Sequence, residues 1–263
     1  MENKTAAVFH WLFSCLLAIA FALEIFSLFQ PLKFAGLLDA AFIVIATAGT
    51  MTALWRRLPL QNVLLATGGI ALIGGGFSAL GAKYSLPFGP FVFGSGSGPL
   101  MFKTLAWAMP LIWVVIVLNS RGMARLMLRP WRKNKSYGYR VIGLSALLVL
   151  LFDLALEPFA FRVNHLWLWE PTALPLTWQG APIVCFVAWG LITLLILLFI
   201  TPALIVKKPR SKSGPELHAL CLWLGGIVLC ATGCAANGIW AAVILDAVIG
   251  IGAAIFAIRG AMW

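Results

Sequence analysis

Asp153 and Glu157 stand four residues apart, and Pro158 follows directly. On a helix that spacing puts both carboxyl groups on one face, about 5–6 Å apart. Pro158 disfavours helical backbone at Glu157, so a helix is expected to end or kink there. Two carboxylates in a poorly hydrated site cannot both ionise cheaply, and one of them then holds a proton near neutral pH. The pair is an acid and a base within reach of one substrate, as general acid–base chemistry requires. Asp153 is expected to lie one turn deeper and to donate the proton. Glu157, closer to water, is expected to stay ionised, held by Arg162 or Lys83.

The elements that must carry this pair are membrane helices. Of 263 residues, 62% are hydrophobic and 10% are charged, against about 25% charged in an ordinary soluble domain. That composition excludes a soluble enzyme and a disordered chain. It also excludes a nucleic-acid binder, despite a net charge of +11. A spanning helix needs about 20 apolar residues. The sequence predicts an all-α polytopic bundle of eight transmembrane helices in one domain, 1–263. The spans fall near 6–29, 36–54, 62–81, 99–118, 140–158, 183–206, 217–236 and 238–257. The first is too long for a signal-peptide core and is kept as a mature span.

The loops orient the bundle. Lys4, Arg56, Arg57, Arg259, the loop from Arg121 to Arg140 and the loop holding Lys207, Lys208, Arg210 and Lys212 carry 15 of the 19 basic residues on one side. The positive-inside rule makes that side, and both termini, cytoplasmic. The expected location is a bacterial or archaeal cytoplasmic membrane. The basic excess is topology and attraction to anionic headgroups, with a phosphate site in the loop after span 4 as a minor alternative.

Depth then sorts the polar residues. Glu24, Asp39, Asp153, Glu157 and Glu170 converge on the outer face with Lys83, Lys103 and Arg162. Charge inside a bilayer costs about 2.5–3.5 kcal/mol at a helix centre, so it is usually buried in the bundle and functional. Interfacial anchors and structural ion pairs are the alternative. Asp153, Glu157, Asp39 and Glu24 are the candidate catalytic acids. The outer loops are aromatic: Pro87-Phe88-Gly89-Pro90-Phe91-Val92-Phe93 in one, and Phe159, Phe161, Trp167, Trp169 and Trp178 in the other. They read either as interfacial belts or as a groove for a long apolar ligand, whose rings could stabilise a carbocation. The Gly94–Gly98 stretch lacks the GK[ST] of a phosphate loop. The five cysteines lie in apolar runs without a CxxC, and the three histidines fall in distant segments, so no metal site or cofactor is expected.

Two blocks resemble the carotenoid biosynthesis membrane-protein family, which includes the CruF-type carotenoid hydratases. One holds Pro87-Phe88-Gly89, Gly98-Pro99, Pro110 and Trp113. The other holds Asp153, Glu157-Pro158, Trp167-Leu168-Trp169, Gly180-Ala181-Pro182 and Trp189. The chain departs from the family pattern at Ser78, where a glutamate is expected in the turn before the aromatic loop, and at Cys185, where an asparagine is expected. The resemblance implies a cofactor-independent membrane enzyme that adds water to the terminal C=C of an acyclic carotenoid. Asp39 or Glu24 would compensate for Ser78. Phe88, Phe91, Phe93, Trp113, Trp167, Trp169, Trp189, Lys83 and Arg162 would bind substrate, and lipids and other pathway enzymes would be its membrane neighbours. End-group cyclisation or isomerisation is a second reading, and a non-catalytic pigment or lipid carrier is a third.

The orientation is open to a direct test. Single cysteines at Ser95 and Ser136 should differ in labelling by an impermeant reagent on intact cells, with Ser95→Cys reached and Ser136→Cys protected. The reverse pattern would invert the topology.

Overall fold

The computed structural model of the chain describes residues 4–30, 35–171, 176–205 and 216–263. Within them lie eight helices long and apolar enough to cross a membrane. These are α1 (Lys4–Ser27), α2 (Ala35–Trp55), α3 (Leu60–Tyr84), α4 (Met109–Met127), α5 (Tyr137–Pro158), α6 (Ile183–Ile200), α7 (His218–Ala236) and α8 (Trp240–Ala261). A helix satisfies its backbone polar groups internally, which hydrocarbon demands. The outward faces match that solvent. Leu65, Leu72, Phe199 and Val248 are all exposed, an arrangement a water-soluble surface would not tolerate. Expected loop residues Lys33, Lys207, Lys208, Arg210 and Lys212 lie outside the described residues.

The core centres on α4, which packs against α2, α3, α5, α7 and α8. The chain ends gather at one end of the bundle. Phe9 stacks with Trp55, His10 meets His218 edge-on at 5.0 Å, and the Arg129 guanidinium donates to the Ala261 carbonyl. The histidines read as distant in the chain are thus partly brought together.

The fourth span departs most from expectation. It was expected near 99–118, but α4 begins at Met109, with Pro110 in its first turn, where a missing N–H is harmless. The apolar residues before it form a hairpin instead, β2 (Leu100–Met101) with β3 (Leu105–Ala106). Phe102 and Lys103 turn this hairpin with φ of 52° and 60°, so Lys103 sits in an exposed turn and not inside a span. Composition alone could not separate a hairpin from a first helical turn. In consequence Arg121 and Arg125, expected in a loop, lie in the last turns of α4.

The two aromatic loops pair. β1 (Phe91–Phe93) runs antiparallel to β4 (Trp167–Trp169), in the register Phe91↔Trp169, Val92↔Leu168, Phe93↔Trp167. A strand's two-residue period puts Phe91, Phe93, Trp167 and Trp169 on one face. That face is turned inward, while Val92 and Leu168 are exposed. The glycines of the Gly/Ser stretch serve this contact. A Cβ at Gly94 or Gly96 would collide with the backbone carbonyls of His165 and Asn164. Two further strands, β5 (Thr177–Trp178) and β6 (Ala181–Pro182), form a short ladder leading into α6.

Close helix approach is equally specific. A Cβ on Gly74 of α3 would overlap the ring of Trp113 in α4, whereas one on Gly76 meets nothing within 4 Å. Overpacking costs typically 1–3 kcal/mol, while Gly→Ala at an open helical site gains up to about 1 kcal/mol. Gly74→Ala should therefore lower the melting temperature in detergent, and Gly76→Ala should leave it unchanged or raise it. Equal responses would contradict this packing.

Candidate active site

Helix α5 ends at Pro158 and continues as one π-helical turn, Phe159–Val163. The expected break at Glu157-Pro158 therefore takes the form of a widened turn. It redirects the chain so that β4 folds back beside the acid pair. Asp153 and Glu157 face α6, and both are buried, at 0% and 1% exposure. Glu157 is thus no better hydrated than Asp153, contrary to the sequence reading, because the β1–β4 pair covers it.

Glu157 is held by indoles. The Nε1–H groups of Trp167 and Trp169 both donate to its Oε2, each at 3.0 Å. The expected cations are elsewhere. Lys83 is exposed and lies over the Tyr84 ring at 5.1 Å, and Arg162 is exposed on the π-turn. From α6, the Cys185 thiol reaches both acids, with Sγ 3.7 Å from Glu157 Oε1 and 3.9 Å from Asp153 Oδ2. Asp153 Oδ1 has no hydrogen-bond partner among the described residues.

In front of Glu157 lies a recess of about 20 Å³, walled by Ser78, Phe88, Phe91, Phe93, Met109, Trp167, Trp169, Cys185 and Trp189. One water needs roughly 10–15 Å³. Six of the seven expected substrate-binding aromatics line it. The seventh, Trp113, backs the wall, stacked on Trp189 with ring centroids 3.8 Å apart and its Nε1–H on Ser78 Oγ at 2.9 Å. Ser78 lies inside α3, not in a turn. The two positions that depart from the resembled pattern, Ser78 and Cys185, are therefore walls of one recess.

Phe93, Met109 and Trp167 also line a second, largely apolar cavity of about 490 Å³, within the roughly 300–1,000 Å³ of small-molecule sites. Glu24 and Asp39 are on its wall, with their carboxyl groups within hydrogen-bond reach of each other. The four candidate acids are thus two pairs, Glu24 and Asp39 on the larger cavity and Asp153 and Glu157 at the recess that Glu157 lines, not one cluster.

Asp246 of α8 was missed by the sequence reading. It is fully buried, neither of its oxygens has a hydrogen-bond partner among the described residues, and it lies near Cys230 and Cys234. Its place in the outer half of span 8 was the available signal. Among the described residues, the group able to hold a metal ion is Asp153, Glu157 and Cys185, whose ligand atoms lie within 4.8 Å of one another. This set was not visible from cysteine and histidine spacing, because its members come from two helices.

Fold and site together define a multi-pass membrane protein with a buried acid pair beside an apolar cavity. Residues 38–253 match the sequence profile of the carotenoid biosynthesis protein family, and the chain belongs to that family. It is also 29% identical over 135 residues to the bisanhydrobacterioruberin hydratase of Haloarcula japonica, a match covering 51% of this chain and 43% of the relative. The match thus spans less than half of that relative's length. No solved structure matches the chain.

The indole clamp makes a testable prediction. Trp167→Phe keeps an aromatic ring, though a smaller one, and removes one donor to Glu157, whose loss should cost about 1–3 kcal/mol of stability. In a Glu157→Met background, which has no oxygen to accept from the indole, the same change should cost less than half as much, measured by thermal melts in detergent as a double-mutant cycle. Equal costs in both backgrounds would show that the indole does not serve the carboxyl group.

Proposed function

We propose that this protein adds water across the terminal C=C of an acyclic carotenoid end group, using the Asp153–Glu157 pair as acid and base. The observation that supports this most is a buried carboxyl pair whose Glu157 lines an aromatic recess that shares its wall with an apolar cavity of about 490 Å³. Membership of the family supplies the substrate class. A relative named as a hydratase supports the reaction class.

In this reading the end group lies in the larger cavity and its terminal double bond reaches the recess at Phe93 and Trp167. A proton passes from the carboxyl pair to the less substituted alkene carbon and leaves a tertiary cation. The faces of Phe91, Trp169 and Trp189 stabilise that cation. A water in the recess attacks it, and its released proton returns to the pair, so the site is restored at each turnover. Glu157 lines the recess and Asp153 does not. Glu157 is therefore the contacting member, and Asp153 stands behind it as its proton partner. This reading differs from the sequence-based expectation, which made the deeper Asp153 the proton donor. Glu24 and Asp39 would set the polarity of the larger cavity where the chain enters.

Expression in cells that make an acyclic carotenoid tests the reading by product mass. A gain of one water supports hydration. An isomer of equal mass would replace it with cyclisation or isomerisation, and unchanged pigment with a non-catalytic role. General acid–base catalysis contributes typically 10²–10⁴-fold. Glu157→Gln should therefore lower product formation about a hundredfold or more. Asp153→Asn should also fall steeply, and the double variant should be little worse than Glu157→Gln, because groups that act as a unit are not additive. Full activity of a well-expressed Glu157→Gln variant would remove the acid pair from the mechanism.

A further inference from the structure

Helix α4 begins at the recess, with Met109 in its wall, and reaches Arg121 about 18 Å further along its axis. There the bundle holds another cavity, of about 230 Å³, whose wall carries Arg57, Arg121, Arg125, Arg129 and Arg132, with Glu216 as the acid of the lining. Arg121 and Arg125 stand four residues apart on one face of α4, and Arg129 joins them from the 3-10 turn Arg129–Trp131 that follows. Glu216 is already engaged, its Oε2 lying 3.1 Å from Arg57 Nε.

Arg121 is the decisive residue. It is 7% exposed, and one terminal nitrogen donates to the Leu204 carbonyl at 3.3 Å. Its Nε–H is buried and has no hydrogen-bond partner among the described residues. The positive-inside rule accounts for basic residues in wet loops. It does not account for a guanidinium buried in a helix with an unmet donor, nor for four more arginines converging on one hollow. A buried guanidinium with further like charges beside it is costly without a counter-charge. Guanidinium forks match phosphate oxygens in geometry and charge. The hollow is smaller than the roughly 300–1,000 Å³ of a site for a drug-sized molecule, so it suits a headgroup-sized anion.

We propose that this pocket binds a phosphate-bearing anion, mono- or diphosphate, with Arg121 at its base. The anion is either the headgroup of an anionic lipid or a free phosphate compound. The proposal does not rest on the carotenoid reading of the recess.

The test uses the full chain in neutral detergent, with inorganic diphosphate and phosphatidylglycerol as probes and phosphatidylcholine as the neutral control. Binding is followed by native mass spectrometry and by thermal stabilisation. Arg121→Gln should weaken binding about tenfold, the size of one lost charge-assisted hydrogen bond. Arg125→Gln should do the same from an exposed position where folding is not at stake. Saturable diphosphate binding weakened by these changes supports a soluble ligand. Selective retention of phosphatidylglycerol alone, weakened in the same way, supports a lipid headgroup. If neither probe exceeds phosphatidylcholine, or if Arg125→Gln binds as the unaltered protein does, the proposal is overturned.

Discussion

The structure depends on keeping two carboxyl groups, Asp153 and Glu157, inside an apolar bundle. Isolated ionised carboxylates are very costly in such surroundings, so every neighbour is constrained by them. The solution is a set of weak or neutral donors. Two indole N–H groups meet Glu157, and one thiol spans both acids. None of these carries a charge, so the pair keeps its acid–base capacity. A lysine or arginine in the same place would have fixed both groups as an ion pair.

The aromatic architecture follows from that arrangement. Trp167 and Trp169 can both reach Glu157 because they sit two residues apart on a strand, and the strand exists because β1 gives it a partner. The π-turn after Pro158 brings β4 back over its own helix. Trp113 and Trp189 close the far side, and their stacking is possible because α3 offers a glycine where the rings pass. Covering the acids and building the apolar wall are one operation, carried out by the same side chains.

Much of this was legible in the sequence. Seven of the eight spans follow from apolar length, and the i, i+4 acid pair and the aromatic loops were visible as types and spacings. What was not legible depends on partners distant in the chain. β1 and β4 are three residues each, too short for a period-2 pattern to stand out, and they are joined across more than seventy residues. Leu100–Ala106 is as apolar as a helix start, and only the turn at Phe102 and Lys103 makes it a hairpin. Burial of Glu157 removed its expected difference in hydration from Asp153, because depth along a helix says nothing about what folds over it. The arginines of α4 were read as loop charge because the helix was begun ten residues too early.

The reading of the recess as a hydration site is tested most directly by isotope labelling. The purified protein would be given an acyclic carotenoid in water enriched in oxygen-18 and deuterium. The account predicts a product whose new hydroxyl carries oxygen-18 and whose adjacent carbon has gained one deuterium. A hydroxyl without the label would place the oxygen's source outside water and contradict it, as would a deuterated isomer with no added oxygen.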